Sequence, residues 1–293
     1  MGCTIYPLSI LPLSFRCFLG RQIGVAFSYF ETRDRLITEL QIKWILPQIS
    51  PKEILPKIFG NIGSNIFEAL NLKPIINNMD RYIECPNAEI PKTINKRGRP
   101  VVALTAHMGN WELMAAYMVK VGVPLTTVGR QARNRFGQYL LSHLRARYGV
   151  NTMWKENRSG LREMVKHLSP GHTIAALIDQ DTHVRSENIP FMGHLAKTPV
   201  GLIDIGKRFN AIFVTSFIVK DGDKHVIHVE EIPDTADQAE ILEIYNTRLE
   251  ELIRRYPDQW IWMHKRWRSC VAEKPLSSKE YIQFLKEQTN YGE

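Results

Sequence analysis

The sequence lacks the features that mark several specialised protein classes. Its four cysteines, Cys3, Cys17, Cys85 and Cys270, form no C-x-x-C pair. We therefore expect reduced thiols in a cytosolic setting, without a disulfide framework or a zinc site. No repeat of roughly 20 to 50 residues and no low-complexity tract is present, which excludes solenoids and biased disordered segments. The histidines lack metal-ligand spacing, so we expect no metal and no cofactor.

The sequence also lacks a long, uninterrupted apolar run. Its most apolar stretch, residues 5–30, is broken by Pro7, Pro12, Arg16 and Arg21, whereas a membrane-spanning helix needs about 20 mostly apolar residues. A signal peptide would carry its charge ahead of the apolar stretch. The pattern favours a segment lying in the membrane interface, with the two arginines on lipid phosphates. A buried helical hairpin is the alternative.

The composition that remains is that of a folded protein with an anionic partner. Hydrophobic residues make up 44% of the 293 residues and charged residues 23%, which supports a packed core. The net charge is +8, and such an excess indicates a lipid surface, a phosphorylated substrate or a nucleic acid as partner. A basic surface without an anionic ligand is the remaining interpretation.

Strands and helices alternate along the second half of the chain. Short apolar runs predict strands, which lie at 101–107, 124–130, 172–179, 211–219 and 224–232. The last two are joined by a turn at Asp221-Gly222. Helical patterns lie between the strands, at 135–149, 159–168, 198–210 and 236–256. We therefore expect an α/β fold with a central, mostly parallel sheet flanked by helices, and ligands at the carboxyl ends of its strands.

The region before residue 73 is predicted to be helical. Residues 32–72 have helical periodicity, with breaks expected near Pro47, Pro51 and Gly60–Gly63. We place an N-terminal, membrane-interfacial helical region at 1–72 and the α/β domain at 73–293.

The segment that best supports a catalytic role runs from Thr105 to Glu112. His107 follows a predicted buried strand, Asn110 is a good helix N-cap, and Glu112 falls in the first turn of the next helix. A histidine held by a carboxylate is a suitable general base. Spacing alone is weak evidence, because nine histidines should give about one such pair by chance. A structural histidine remains the alternative.

Several motifs in this order resemble one family. They are HMGNWE (107–112), VGR (128–130), Asp179-Gln-Asp181, IPFMG (189–193) and YPDQWIWMHKRW (256–267). Together they resemble the bacterial late lipid A acyltransferases, the lauroyl and myristoyl transferases of the lysophospholipid acyltransferase superfamily. The resemblance runs from about Leu11 to Arg268 and implies a lysophospholipid-acyltransferase-like fold.

The resemblance implies roles for individual residues. His107 and Glu112 match the family's catalytic His-x4-acid pair. Arg145 and Asp179 match charged partners of that site, and Arg130 matches the arginine that ends the second strand. We expect both arginines to bind substrate phosphates; a solvated basic helix face is the alternative. Asp179 would pair with Arg145 or His107, or cap its strand end.

Two further residues, Asn110 and Asp181, complete the predicted substrate-binding set.

The segment 256–267 carries three tryptophans. We expect it to combine packing with interfacial anchoring, through Trp side chains and through Lys265, Arg266 and Arg268 on anionic lipids. RNA stacking is the alternative.

The resemblance also implies a reaction and its partners. The donor would be an acyl-carrier-protein thioester, with acyl-CoA as the alternative, and the acceptor a lipid A precursor at the cytoplasmic face of the inner membrane, in lipopolysaccharide biosynthesis. No G-x-S-x-G and no plausible cysteine nucleophile is present, so direct attack with His107 as general base is expected, without nucleic acid as partner. Another glycolipid acceptor, such as a phosphatidylinositol mannoside, and a noncatalytic membrane- or nucleic-acid-binding relative are the alternatives.

Overall fold

The helices and strands described here come from a computed structural model covering residues 6–131, 134–154 and 160–290. Cys3 lies outside these residues. The helices are α1 (Tyr6–Ile10), α2 (Leu13–Phe27), α3 (Arg33–Ile45), α4 (Pro51–Ala69), α5 (Lys73–Ile76), α6 (Met79–Tyr82), α7 (Glu89–Thr93), α8 (Trp111–Lys120), α9 (Arg135–Arg147), α10 (Gly160–His167), α11 (Gly201–Arg208), α12 (Gln238–Arg255) and α13 (Ser278–Gln288). A 3-10 turn covers Ile94–Arg97.

The strands form one large sheet and one hairpin. They are β1 (Ile83–Glu84), β2 (Val101–Thr105), β3 (Leu125–Gly129), β4 (Asn151–Trp154), β5 (Thr173–Leu177), β6 (Ser186–Phe191), β7 (His194–Pro199), β8 (Ile212–Asp221) and β9 (Lys224–Glu231). The large sheet has the order β1-β9-β8-β2-β5-β3-β4. Its neighbours are parallel except β8 and β9, which form an antiparallel pair. The predicted α/β fold with a mostly parallel sheet is confirmed.

The chain divides into two units, built from separate segments. One comprises residues 6–68, 179–199 and 246–290, and the other residues 69–178 and 200–245. The large sheet lies in the second unit and the β6–β7 hairpin in the first. The boundary that we placed at residue 72 stays a prediction.

Strand β2 lies at the centre of the large sheet and sets the position of the candidate site. All five of its residues are buried, as expected for a parallel strand covered on both faces. Thr105 pairs with Leu177 of β5, and Leu104 pairs with Thr215 of β8. This register brings the carboxyl ends of β2 and β5 to the same edge of the sheet, directly before the segment that carries His107.

The predicted helix break at Gly60–Gly63 is wrong, because α4 runs through both glycines. Gly20 and Gly24 of α2 face this part of α4. A Cβ atom at Gly24 would collide with the carbonyl group of Phe59, and one at Gly63 with that of Gly20. The glycines therefore serve a close approach of two helix backbones, which offsets their poor intrinsic helix propensity.

The tryptophans of segment 256–267 pack inside the first unit. Trp260, Trp262 and Trp267 are fully buried. Arg266 is also fully buried and donates hydrogen bonds to the carbonyl of Lys197 and the hydroxyl of Thr198. The predicted packing role is confirmed. The predicted interfacial role of these tryptophans and of Arg266 is wrong, because buried side chains do not reach lipid headgroups.

The N-terminal helices differ from the prediction in the position of one arginine. Arg16 is fully buried and donates hydrogen bonds to the carbonyl groups of Leu11 and Phe67. Its predicted contact with lipid phosphates is therefore wrong, whereas Arg21 is exposed. Within residues 6–131, 134–154 and 160–290, no helix is both long enough and apolar enough to cross a bilayer.

Candidate active site

A tight turn after β2 presents His107 at the edge of the sheet. Gly109 adopts a φ of 55°, and a Cβ atom there would collide with the carbonyl oxygen of Ile218 in β8. The turn thus passes directly over the neighbouring strand, at a position where only glycine fits. The Asn110 side chain accepts a hydrogen bond from the Leu113 amide and caps α8. Sequence reasoning predicted this strand, turn and helix start.

Glu112, in the first turn of α8, forms an ion pair with Arg145 of α9. The Arg145 Nη2 donates to Glu112 Oε1 at 2.6 Å and its Nε donates to Oε2 at 2.9 Å. Only 10% of the Arg145 side-chain surface and 20% of that of Glu112 are exposed. A bidentate pair in such shielded surroundings fixes the orientation of both side chains. Arg145 is thus occupied by a carboxylate of the site, and its predicted binding of substrate phosphates stays a prediction.

Aromatic and hydroxyl groups that we did not predict surround this pair. The Trp111 indole N–H donates to Glu112 Oε1 at 3.2 Å, and its ring packs edge-on against His107 with ring centres 5.1 Å apart. Trp111 therefore contacts both members of the predicted pair. The Arg145 guanidinium also lies over the Trp154 ring and donates to Thr152 Oγ1 at 3.3 Å. Trp111 stands inside the HMGNWE motif, whereas nothing in the local sequence signals Trp154 or Thr152.

An apolar cavity lies in the same unit, against one face of the large sheet. It encloses about 740 Å³ of empty space, counting the part open to solvent. Trp111, Glu112 and Arg145 line it beside the carboxyl ends of the strands, and Val123 and Leu125 line it at their amino ends. The cavity thus extends along the length of a strand. The charged Glu112 and Arg145 lie at one end, and the uncharged polar Asn95 and Thr173 lie at the other.

The other predicted substrate-binding residues have different settings. Arg130 directly follows β3 at the same edge of the sheet. Asp179 and Asp181 belong to the other unit. There the buried Asp179 accepts a hydrogen bond from the Trp260 indole at 3.0 Å, and Asp181 accepts from the amide and hydroxyl groups of Ser269. These contacts hold the C-terminal segment; the substrate-binding roles of all three residues stay predictions.

Comparison with known families gives a match over nearly the whole chain. Residues 3–269 match the family model described as bacterial lipid A biosynthesis acyltransferase. The match covers nearly the whole chain, including the β2 turn, both members of the ion pair and the tryptophan-rich segment.

The chain belongs to the bacterial lipid A biosynthesis acyltransferase family. Among curated relatives it is 23% identical over 273 residues to lipid A biosynthesis acyltransferase 2 of Shigella flexneri, covering 88% of this chain and 85% of the relative. It is 22% identical over 277 residues to lipid A biosynthesis palmitoleoyltransferase of Escherichia coli (strain K12), covering 91% and 89% respectively. The predicted family and the predicted O-acyltransferase activity in lipid A biosynthesis are confirmed.

The geometry of this lipid A acyltransferase site suits acyl transfer to an alcohol. The His107 imidazole, at the end of a buried strand, is a group of the type that takes a proton from an alcohol. The carboxylate of Glu112 is held at the start of α8, where the N-terminal amide dipoles add positive potential for a developing oxyanion. The apolar cavity that Glu112 and Arg145 line has the lining that an acyl chain requires.

Proposed function

We propose that the protein transfers a fatty acyl chain from an acyl-carrier-protein thioester to a hydroxyl group of a lipid A precursor, with His107 as general base. The observation that supports this most is the apolar cavity, whose charged end includes Glu112 and Arg145. An extended acyl chain would fill the apolar part of the cavity. Its thioester carbonyl would then lie at the carboxyl edge of the sheet, where the turn presents His107.

The proposed reaction is a direct transfer without a covalent acyl-enzyme. His107 removes the proton from the acceptor hydroxyl as its oxygen attacks the thioester carbonyl. The tetrahedral intermediate collapses, the C–S bond breaks, and the thiol leaves with the proton that the imidazolium returns. Glu112 stabilises the imidazolium, and the bidentate contact with Arg145 keeps the carboxylate in one orientation.

Purified protein, an acyl-carrier-protein donor and a tetra-acylated lipid A precursor provide the test. Mass spectrometry should show the precursor gaining one acyl group. His107→Ala and Glu112→Ala should each lower the rate by roughly two to four orders of magnitude, the range typical of positioned acid–base groups. His183→Ala, which removes an exposed histidine, is the matched control and should leave the rate unchanged. Equal rates for wild type, His107→Ala and Glu112→Ala would exclude the mechanism.

The acceptor is tested in the same assay. A phosphatidylinositol mannoside replaces the lipid A precursor in a parallel reaction, and we expect no product from it. Acylation of the mannoside without acylation of the precursor would contradict the proposed acceptor while leaving the role of His107 intact.

We further propose that the N-terminal helices attach the protein to the cytoplasmic surface of the inner membrane. Large apolar side chains that are 41–74% exposed concentrate in this region: Ile10, Phe15, Phe18, Ile23, Phe27, Tyr29, Phe30 and Ile66. Exposed apolar groups gathered in one region are typical of membrane or protein interaction surfaces. The exposed Arg21 and Lys57 supply positive charge for anionic lipid headgroups.

Cosedimentation with vesicles tests this attachment. Phe15→Ser/Phe18→Ser should reduce binding to vesicles of anionic phospholipid, because each removed side chain loses its apolar burial in the bilayer interface. Leu195→Ser/Phe209→Ser, which changes two exposed apolar residues elsewhere, should bind as wild type does. Equal loss of binding in both double variants, or none in either, would contradict the assignment of the surface.

A further inference from the structure

Helix α9 has two faces of different character. Arg145, on its inner face, donates hydrogen bonds to Glu112 at the charged end of the cavity. Its outer face exposes a stripe that we call the α9 outer face: Arg135, Phe136, Tyr139, His143 and Arg147. Tyr139 and His143 lie one turn apart and stack, with ring centres 5.9 Å apart and planes 14° apart.

The charge on this helix is of one sign. Its sequence, RFGQYLLSHLRAR, contains three arginines and a histidine but no Asp or Glu. Within the part of the chain that the structure describes, no carboxylate forms a salt bridge with Arg135 or Arg147. Exposed arginines without a carboxylate partner among the described residues, beside exposed aromatic rings, have the composition of an interface that receives an acidic partner.

We propose that the α9 outer face is the docking surface for the acidic carrier protein that delivers the acyl thioester. The proposal rests on the proposed function, since it assigns a place to the donor of that reaction. A carrier protein holds its acyl chain on a flexible arm that must reach into the cavity. From Arg135 to Arg147 the helix is about 20 Å long, and its last turn lies beside the ion pair at the cavity. A carrier bound along this face places its arm close to the site.

A bilayer fits the α9 outer face less well than an acidic protein does. Phe136 and Tyr139 are its only large apolar groups with substantial exposure, at 49% and 60%. The remaining members of the face are Arg135, His143 and Arg147, whose charge and hydrogen-bonding groups suit carboxylates. Membrane attachment through a helix requires a broader apolar face.

The test compares two donors that carry the same acyl chain on different leaving groups. Arg135→Glu/Arg147→Glu replaces attraction of an acidic carrier by repulsion. It should raise KM for the acyl-carrier-protein donor by roughly tenfold or more, while kcat and the KM for acyl-CoA change less than about twofold. Lys120→Glu/Lys224→Glu makes the same change of charge at two exposed lysines that do not belong to α9 and should leave both KM values unaltered. The free carrier should bind the wild type and the control, but not the α9 variant, in a fluorescence anisotropy titration.

The outcomes distinguish failure of this proposal from failure of the proposed function. No acyl transfer by the wild type from either donor refutes the proposed function. Transfer with unchanged KM and unchanged carrier binding in the α9 variant refutes the docking surface alone. An equal rise of KM for both donors refutes it too, since the substitutions then act on the site and not on the carrier. Loss of binding to anionic vesicles without a donor-specific change assigns the face to the bilayer and overturns the proposal.

Discussion

Removing the guanidinium of Arg145 tests whether the ion pair with Glu112 organises the site. In Arg145→Met the side-chain stem still packs, but Glu112 loses two hydrogen bonds, at 2.6 and 2.9 Å. Hydrogen bonds to charged groups contribute about 1.5–3 kcal/mol each, and breaking a buried pair costs about 3–5 kcal/mol. Because one fifth of the Glu112 side chain is exposed to water, we expect a loss near the lower limit, about 3 kcal/mol.

Thermal unfolding and turnover measure the effect together. For a chain of this length a loss of about 3 kcal/mol lowers Tm by roughly 4–8 °C. Turnover should fall with it, because a carboxylate without its partner no longer has one fixed orientation. Arg147→Met, an exposed arginine of the same helix, is the matched control and should change stability by less than about 0.5 kcal/mol.

A double-variant cycle makes the reasoning refutable. Glu112→Leu/Arg145→Met removes both charges, so its cost should be smaller than the sum of the two single costs by at least about 1 kcal/mol. Additive costs would show that the two groups do not interact. An Arg145→Met protein that melts like Arg147→Met would lead to the same conclusion.

Three further predictions concern the supporting structure. Gly109→Ala should lower the free energy of unfolding by about 2 kcal/mol or more and reduce turnover, because the added Cβ collides with a carbonyl group of β8. Gly122→Ala is the control, since Gly122 also has a positive φ but no neighbour within 4 Å; it should lower the free energy of unfolding by only about 1 kcal/mol. Urea unfolding measures both. Trp260→Phe should lower stability by about 1–2 kcal/mol in the same assay, since the buried Asp179 carboxylate loses the indole donor. Burial, with a neighbouring histidine, lowers the pKa of His172. The imidazole of His172 therefore binds a proton more readily in the unfolded chain, and the free energy of unfolding should fall as pH drops below about 6.5. His172→Asn should reduce the difference in Tm between roughly neutral buffer, about pH 7.5, and mildly acidic buffer, about pH 5.5. An unchanged difference would contradict this assignment.

The large sheet was predictable because its strands carry their signal locally. The apolar runs of β2, β5 and β8 identify buried strands, and the Asp221-Gly222 turn joins β8 to β9 as expected. The helix break assigned to Gly60–Gly63 failed for a physical reason. The low helix propensity of glycine predicts a break, but the contact with α2 requires glycine at these positions and stabilises α4 through them.

Part of the site was predictable, and part depends on tertiary packing. The turn from His107 to the Asn110 cap follows from residues adjacent in sequence. The contact between Glu112 and Arg145 joins residues 33 positions apart, so it depends on where α9, which connects β3 to β4 along the chain, packs on the sheet. No local pattern shows whether an arginine on such a helix faces a carboxylate or water. Sequence therefore identified Arg145 through family resemblance, and only the fold identified its partner.

The residues that bring α2 and α4 into contact differ from the large apolar residues that α2 exposes. Glycines of both helices permit the close backbone approach, and Val25 and Arg16 add contacts between the helices. Phe15, Phe18 and Phe27 are about half exposed, so we expect polar substitutions there to change the exposed surface more than the pairing of the helices. If the proposed membrane attachment holds, such substitutions would change the strength of vesicle binding while α2 and α4 stay paired.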